Sequence, residues 1–140
     1  MITILVLLVK RHGMSDEEFR KHYETSHSQL GLKYFGHLFL EYRRYYIKAM
    51  SPFREGPEGN NLAPQRSFGC AYDAIGEMVL QDEHSLQEMI RILEDPEIRR
   101  ILAEDEARFL DREACRMGAV DVVQSKAYIQ WPGRRTLSGA

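Results

Sequence analysis

The run 2–9 is apolar on both of its alternating faces: Ile2, Ile4, Val6 and Leu8 on one, Leu5, Leu7 and Val9 on the other, with Thr3 alone polar. A strand covered on one side alternates apolar with polar, so this run predicts a central strand covered on both sides. Gly13 turns the chain within 11–14. Ser15 and Glu18 then make an S-x-x-E capping box, and a helix is expected over 15–34. Phe19, Tyr23, Ser26 and Leu30 trace one face of it at spacings of four, three and four. Residues 38–49 alternate without a purely apolar face, which predicts a strand at a sheet edge or against a cavity that accepts polar groups.

A Pro-, Gly- and Asn-rich stretch, 50–66, reads as a long loop, either a solvated excursion or a lid in which Phe53 and Leu62 help close a cavity. Residues 68–80 alternate again as a second core strand. Leu86, Met89, Ile90 and Leu93 mark a helix starting at Asp82. Asp95-Pro96 starts another, to about Leu110, with Ile98, Ile101, Leu102 and Phe109 inward. A last strand is expected over 119–129, and 131–140 has no periodicity and reads as a fraying tail.

The order β-α-β-loop-β-α-α-β is the split βαβ, or ferredoxin-like, layout: an α+β fold with a four-stranded antiparallel sheet and helices on one face. A first strand apolar on both sides leaves the second sheet face in need of cover. A second copy of the same sheet supplies it, which predicts a two-fold homodimer.

Composition refines this picture only modestly. The chain has 140 residues, 44% hydrophobic and 29% charged, which suits a single domain spanning 1–130. A net charge of −2 without basic clusters gives no pull toward nucleic acid. The apolar run at the N-terminus is too short to span a bilayer and lacks a signal-peptide layout, so no membrane association is expected. Cys70 and Cys115 show no CxxC spacing and read as core thiols in a reduced, cytoplasmic setting. No glycine-rich phosphate loop, metal motif or nucleophile elbow occurs, so no cofactor or metal is expected.

Two residues interrupt the pattern. His27 lies four after Tyr23 and three before Leu30, on the apolar face, where it reads either as a core histidine or as an acid, base or ligand. His22, five residues earlier, is expected on a different side of the helix. Asp105 lies four after Ile101 and four before Phe109, placing a carboxylate where the core should be, either as a cap or edge residue or as a paired group. His12, His37 and His84 sit at element ends, and His84 is the best functional candidate of the three.

The segments KRHGMSDEEFRKHYETSHSQL (10–30), YRRYYI (42–47) and DPEIRRILAEDEARFLD (95–111) together resemble the EthD-domain family. Its members show a strand, a G-[ML]-S-x-E-E-F-x-x-x-[YW]-x-x-x-H helix, a DPE-type helix and a D-E-x-x-F-x-D segment. The match spans roughly residues 2 to 125. It implies a dimeric α+β barrel, a superfamily that includes cofactor-free monooxygenases, polyketide cyclases, haem-binding members and decarboxylases. The ending looks like that of fungal members of aromatic polyketide pathways. His27 falls on the family's helix histidine, Asp105 and Asp111 on its terminal acids, and Phe109 on its aromatic.

The resemblance implies a cofactor-free lyase, a decarboxylase or dehydratase acting on an aromatic polyketide intermediate of secondary metabolism. The alternatives are a cofactor-free oxygenase that makes a quinone from an anthrone-like substrate, and a non-catalytic carrier. His27 is the expected acid/base, oriented by Asp105 or Asp73. Tyr42, Tyr46 and Arg44 are expected to hydrogen-bond substrate oxygens, and Phe19, Tyr23, Phe39 and Met78 to line a pocket between the sheet and the first helix.

Overall fold

The computed structural model describes residues 1–48, 50 and 70–126. Apart from residue 50, the expected 50–66 loop lies outside the described residues, as does the expected 131–140 tail.

Four strands form one antiparallel sheet: β1 (Ile2–Leu8), β2 (Phe39–Tyr46), β3 (Ala74–Leu80) and β4 (Arg116–Val120), in the order β2-β3-β1-β4. The strand apolar on both faces, β1, lies inside the sheet between β3 and β4. The mixed strand, β2, lies at an edge. The strands are shorter than their patterns predict, and β4 starts at Arg116, three residues before the expected 119. Residues 70–73 precede β3 without pairing as strand, and β4 ends at Val120, with 121–126 irregular and 127–129 outside the described residues. Asp121, which disturbs the alternation, stands where β4 stops.

The helices pack on one face of the sheet. The first is interrupted: α1 (Asp16–His22), a π-helical turn (Tyr23–His27) and α2 (Ser28–Phe35). Ser15 caps α1 by accepting from the Glu18 amide, as its capping box predicts. Then α3 (Glu83–Leu93) starts at Asp82, and α4 (Pro96–Phe109) starts behind an Asp95 cap with proline in its first turn. Ile90, expected inward, is 47% exposed, while Met89 beside it is buried.

The core consists of two clusters on the helix side of the sheet, both touching Val6. One gathers Ile4, Phe35, Met78, Leu80, Met89 and Leu102. The other gathers Leu8, Phe19, Tyr23, Ala74, Phe109 and Leu110, and it is largely aromatic. Each such large side chain contributes roughly 1.5–3 kcal/mol when fully buried. Close approach sets one glycine. A Cβ on Gly76 would lie 2.5 Å from Val6 Cγ2 and 2.7 Å from the Tyr23 hydroxyl, so β3 must present bare backbone there.

Candidate active site

The π-helical turn is the part of the fold that the site depends on. In an α-helix, residues five apart are separated by about 140° around the axis, which is why His22 and His27 are expected on different sides. The chain departs from that geometry here: the Ser28 amide donates to the Tyr23 carbonyl, five residues back. The wider turn swings the two imidazoles toward one another, and both meet the same carboxylate. The expectation of opposite sides is therefore corrected. Hydroxyl side chains support the distortion by bonding backbone four residues earlier, Thr25 to Lys21 O at 2.7 Å and Ser28 to Glu24 O at 2.9 Å. Such back-bonding is a known way to bend a helix, and π-bulges concentrate at functional sites.

Asp105, on α4, is 2% exposed and bonds two side chains of that turn and the His22 imidazole just before it. His22 Nε2 lies 3.1 Å from Oδ1, Ser26 Oγ donates to Oδ1 at 2.6 Å, and His27 Nδ1 lies 3.0 Å from Oδ2. Arg108 approaches Oδ1 to 3.7 Å. Burial pushes the carboxyl pKa up, but the hydrogen bonds from Ser26 and His27 and the nearby histidines outweigh it, holding it below the ordinary value. An ionised carboxylate only accepts, so each imidazole must donate. His22 then carries its proton on Nε2 and His27 on Nδ1. With Nδ1 turned to Asp105, Nε2 is the ring nitrogen of His27 left for the cavity, with no partner among the described residues. The readings of Asp105 as a cap or edge residue give way to a buried, fully bonded acceptor.

His27 opens onto a cavity of about 500 Å³ on the helix side of the sheet. Tyr23, Phe39, Tyr42 and Met78, all expected there, line it with His27. Its walls also include Gly31 and Phe35 of α2, Met89 and Leu93 of α3, and Leu102 of α4, so most of them are apolar. Tyr42 and Met117 belong to the two edge strands, so the cavity runs across the whole sheet, ~14 Å at the usual strand spacing. Glu106, Arg112, Glu113 and Cys115 form a charged end that the sequence reading did not include. Burial raises the Cys115 thiol pKa.

Tyr42 is the second polar group of the cavity. It faces the cavity together with Tyr23, whose own pKa is raised chiefly by burial. Burial also raises the Tyr42 pKa, against the opposing effects of Tyr23 and of the Arg44 guanidinium, stacked 4.7 Å above its ring.

Five expected site residues lie elsewhere. Arg44 does not reach the cavity; its guanidinium clamps Glu24 of the π-helical turn with bonds of 2.6 and 2.8 Å. Tyr46 donates to the same carboxylate. The Arg44 bond above all, with Tyr46, holds the Glu24 pKa down at about 2. These two residues therefore anchor the turn from the sheet side rather than touching the cavity. Asp73 accepts from the Lys10 amide at 2.8 Å and borders a separate depression with Phe19, Arg20 and Tyr46, so Asp105 alone orients His27. Phe19 packs between Tyr23 and Phe109 in the core. His84 is exposed in the first turn of α3, as His12 and His37 are exposed elsewhere. Asp111 is exposed just beyond α4. His22 and Ser26 were missed as site residues. The dense run of hydroxyls at 25, 26 and 28 was the available signal.

Among the described residues, no group of three or more His, Cys, Asp or Glu side chains is arranged to hold a metal ion. No described helix is long and apolar enough to cross a membrane.

A ferredoxin-like α+β domain with a histidine–carboxylate pair facing an apolar cavity is thus defined. The EthD domain model matches residues 11–113, and the chain belongs to the EthD family. No curated protein matches the sequence. Among solved structures, the At3g17210 protein of Arabidopsis thaliana is similar in a crystal-structure ensemble refinement: TM-score 0.53, 12% identity, covering 90% of this chain and 99% of that one. Its solution structure gives a TM-score of 0.51 at 12% identity, covering 89% and 90%. HapK from Hahella chejuensis gives 0.49 at 10% identity, covering 93% and 100%. At these identities the Arabidopsis likeness concerns the fold, and function does not follow from fold.

Proposed function

We propose that the chain is a cofactor-free lyase that removes water or carbon dioxide from an aromatic polyketide-type β-hydroxy or β-keto acid. The observation that carries this reading is His27. Its Nδ1–H is fixed on a buried carboxylate, and its Nε2 is free beside an apolar cavity that also holds the Tyr42 hydroxyl.

In dehydration, His27 Nε2 takes the proton from the carbon next to the substrate carbonyl. The Tyr42 O–H hydrogen-bonds the carbonyl oxygen while enolate charge develops there. The β-hydroxyl then leaves with that same proton as water, and His27 returns to neutral. In decarboxylation, His27 Nε2 takes the proton of the substrate's carboxylic acid, the carbon–carbon bond supplies the electron pair as carbon dioxide leaves, Tyr42 again stabilises the enolate, and His27 returns that proton to carbon. Asp105 holds the Nδ1–H in both cases and faces the ring's positive charge while Nε2 carries the proton. Phe35, Phe39 and Met78 offer flat apolar walls to fused rings.

Replacing His27 by alanine should lower turnover of such a substrate by roughly 10²–10⁴. Unchanged turnover in the folded variant refutes the role. Oxygen uptake during turnover would instead favour oxidation of an anthrone-like substrate, since a lyase consumes none. The active species in this reading is a homodimer, with a second copy covering the sheet face opposite the helices.

A further inference from the structure

We propose that His22 is a positioning residue: it shares the single charge of Asp105 with His27 and so keeps His27 neutral, its Nε2 available to the cavity. The geometry is nearly symmetric. The two imidazoles reach the two oxygens of one carboxylate at 3.1 and 3.0 Å, and each is 21% exposed. One carboxylate compensates one imidazolium. A second proton meets a pair already neutralised, with the Arg108 guanidinium 3.7 Å from Oδ1 as a further cation. The two rings therefore compete for one counter-charge.

The groups packed directly on the rings add no second counter-charge, and Glu106, which lines the same cavity as His27, lies 3.6 Å from the Arg112 guanidinium. Phe109 lies against both rings, with centroids 4.7 Å from His22 and 5.1 Å from His27. Tyr23, 5.9 Å from the His27 ring, stays protonated because burial raises its pKa. Ser26 is neutral and gives its proton to Oδ1. His22 is not among the residues lining the cavity, so it acts through Asp105 and not on a bound molecule. The arrangement exists because the π-helical turn brings the two histidines together, which gives the distortion a purpose beyond aiming His27.

This inference deepens the proton-transfer reading and rests on it for its consequence, while its test needs no substrate. The imidazole Cε1–H signals are followed by NMR across pH 4–9 in the wild-type, H22Q and D105N proteins. In the wild type each histidine should titrate over a broadened, two-step curve. In H22Q the His27 curve should become a single step and its midpoint rise by about half to one pH unit, as expected when a competing nearby charge is removed. In D105N the two curves should separate into independent single steps. A one-step His27 curve in the wild type overturns the inference, and so does a His27 midpoint unmoved in folded H22Q. If H22Q does not fold, the wild-type curve shape decides alone. Coupled histidines in a protein whose H27A variant turns over normally would uphold the coupling and sink the catalytic reading; uncoupled histidines with an inactive H27A would do the reverse.

Discussion

Asp105→Asn changes one atom group and tests the residue on which the site turns. The amide can place its oxygen toward His22 and Ser26, but its NH2 then faces His27 Nδ1. A donor facing a donor forces the His27 proton to Nε2, where it blocks the base. The fold should survive while turnover falls by about 10²–10⁴, as wrong-tautomer variants of histidine–carboxylate pairs do. Nitrogen-15 imidazole shifts should report the proton on Nε2 instead of Nδ1; a proton retained on Nδ1 sinks this account. Acid stability belongs to the same scale. Asp105 and Glu24 both have folded pKa values below their ordinary ones. Their contribution is complete above the ordinary carboxylate range and is lost as pH falls through the folded values. Thermal melts should therefore hold level down to about pH 5 and decline toward pH 2, less steeply in Glu24→Gln. An equal decline in that variant assigns the acid sensitivity to other groups.

At the scale of elements, the π-helical turn shows what periodicity conveys and what it omits. The face through Phe19 and Tyr23 is visible because both are deep core residues, and the break at Asp105 is visible because a carboxylate on an apolar stripe needs partners. His22 stayed hidden. Its role depends on one inserted residue's worth of helical rotation, which a 3.6-residue template reads as the opposite side. Arg44 and Tyr46 misled for a related reason: the alternation of β2 places them on the helix side, but not whether that side meets a cavity or Glu24. Two glycines test the packing around the turn. Gly76→Ala should destabilise by about 1–3 kcal/mol, since its Cβ collides with Val6 and with the Tyr23 hydroxyl. Gly31→Ala meets only the Tyr42 ring and hydroxyl, at 3.6 Å or more, within α2. It should stabilise by about 0.5–1 kcal/mol while trimming the cavity beside Tyr42. Chemical denaturation of both variants checks the pair, and a stable Gly76→Ala contradicts the close packing described for β3.

At the scale of the whole molecule, the face of the sheet away from the helices has the anatomy of an interface. Thr3, Leu5 and Leu7 of β1 alternate onto it, and Ile75 and Val79 of β3 pair beside them. Thr3 and Val79 are buried, and the other three are half-buried. Glu77 of β3, opposite Leu5, interrupts this apolar surface, and β2 pairs it: the Tyr45 hydroxyl donates to Glu77 at 2.9 Å, and Arg43, which bonds Glu41 at 2.8 Å, approaches it to 3.9 Å. A largely apolar face whose central carboxylate is already paired fits a protein–protein contact. A second copy related by a two-fold axis meets the same pattern and needs no other partner. The proposed homodimer predicts twice the chain mass in sedimentation equilibrium at micromolar concentration. Leu5→Asp should shift it to single-chain mass, because Leu5 lies on an inner strand directly opposite Glu77 and the contact would bury two like charges side by side. The cavity lies on the opposite side, so the His27 and His22 imidazole signals should keep their positions in the dissociated chain. A wild-type protein of single-chain mass would refute the dimer, and histidine signals displaced by Leu5→Asp would show that the two faces are not independent.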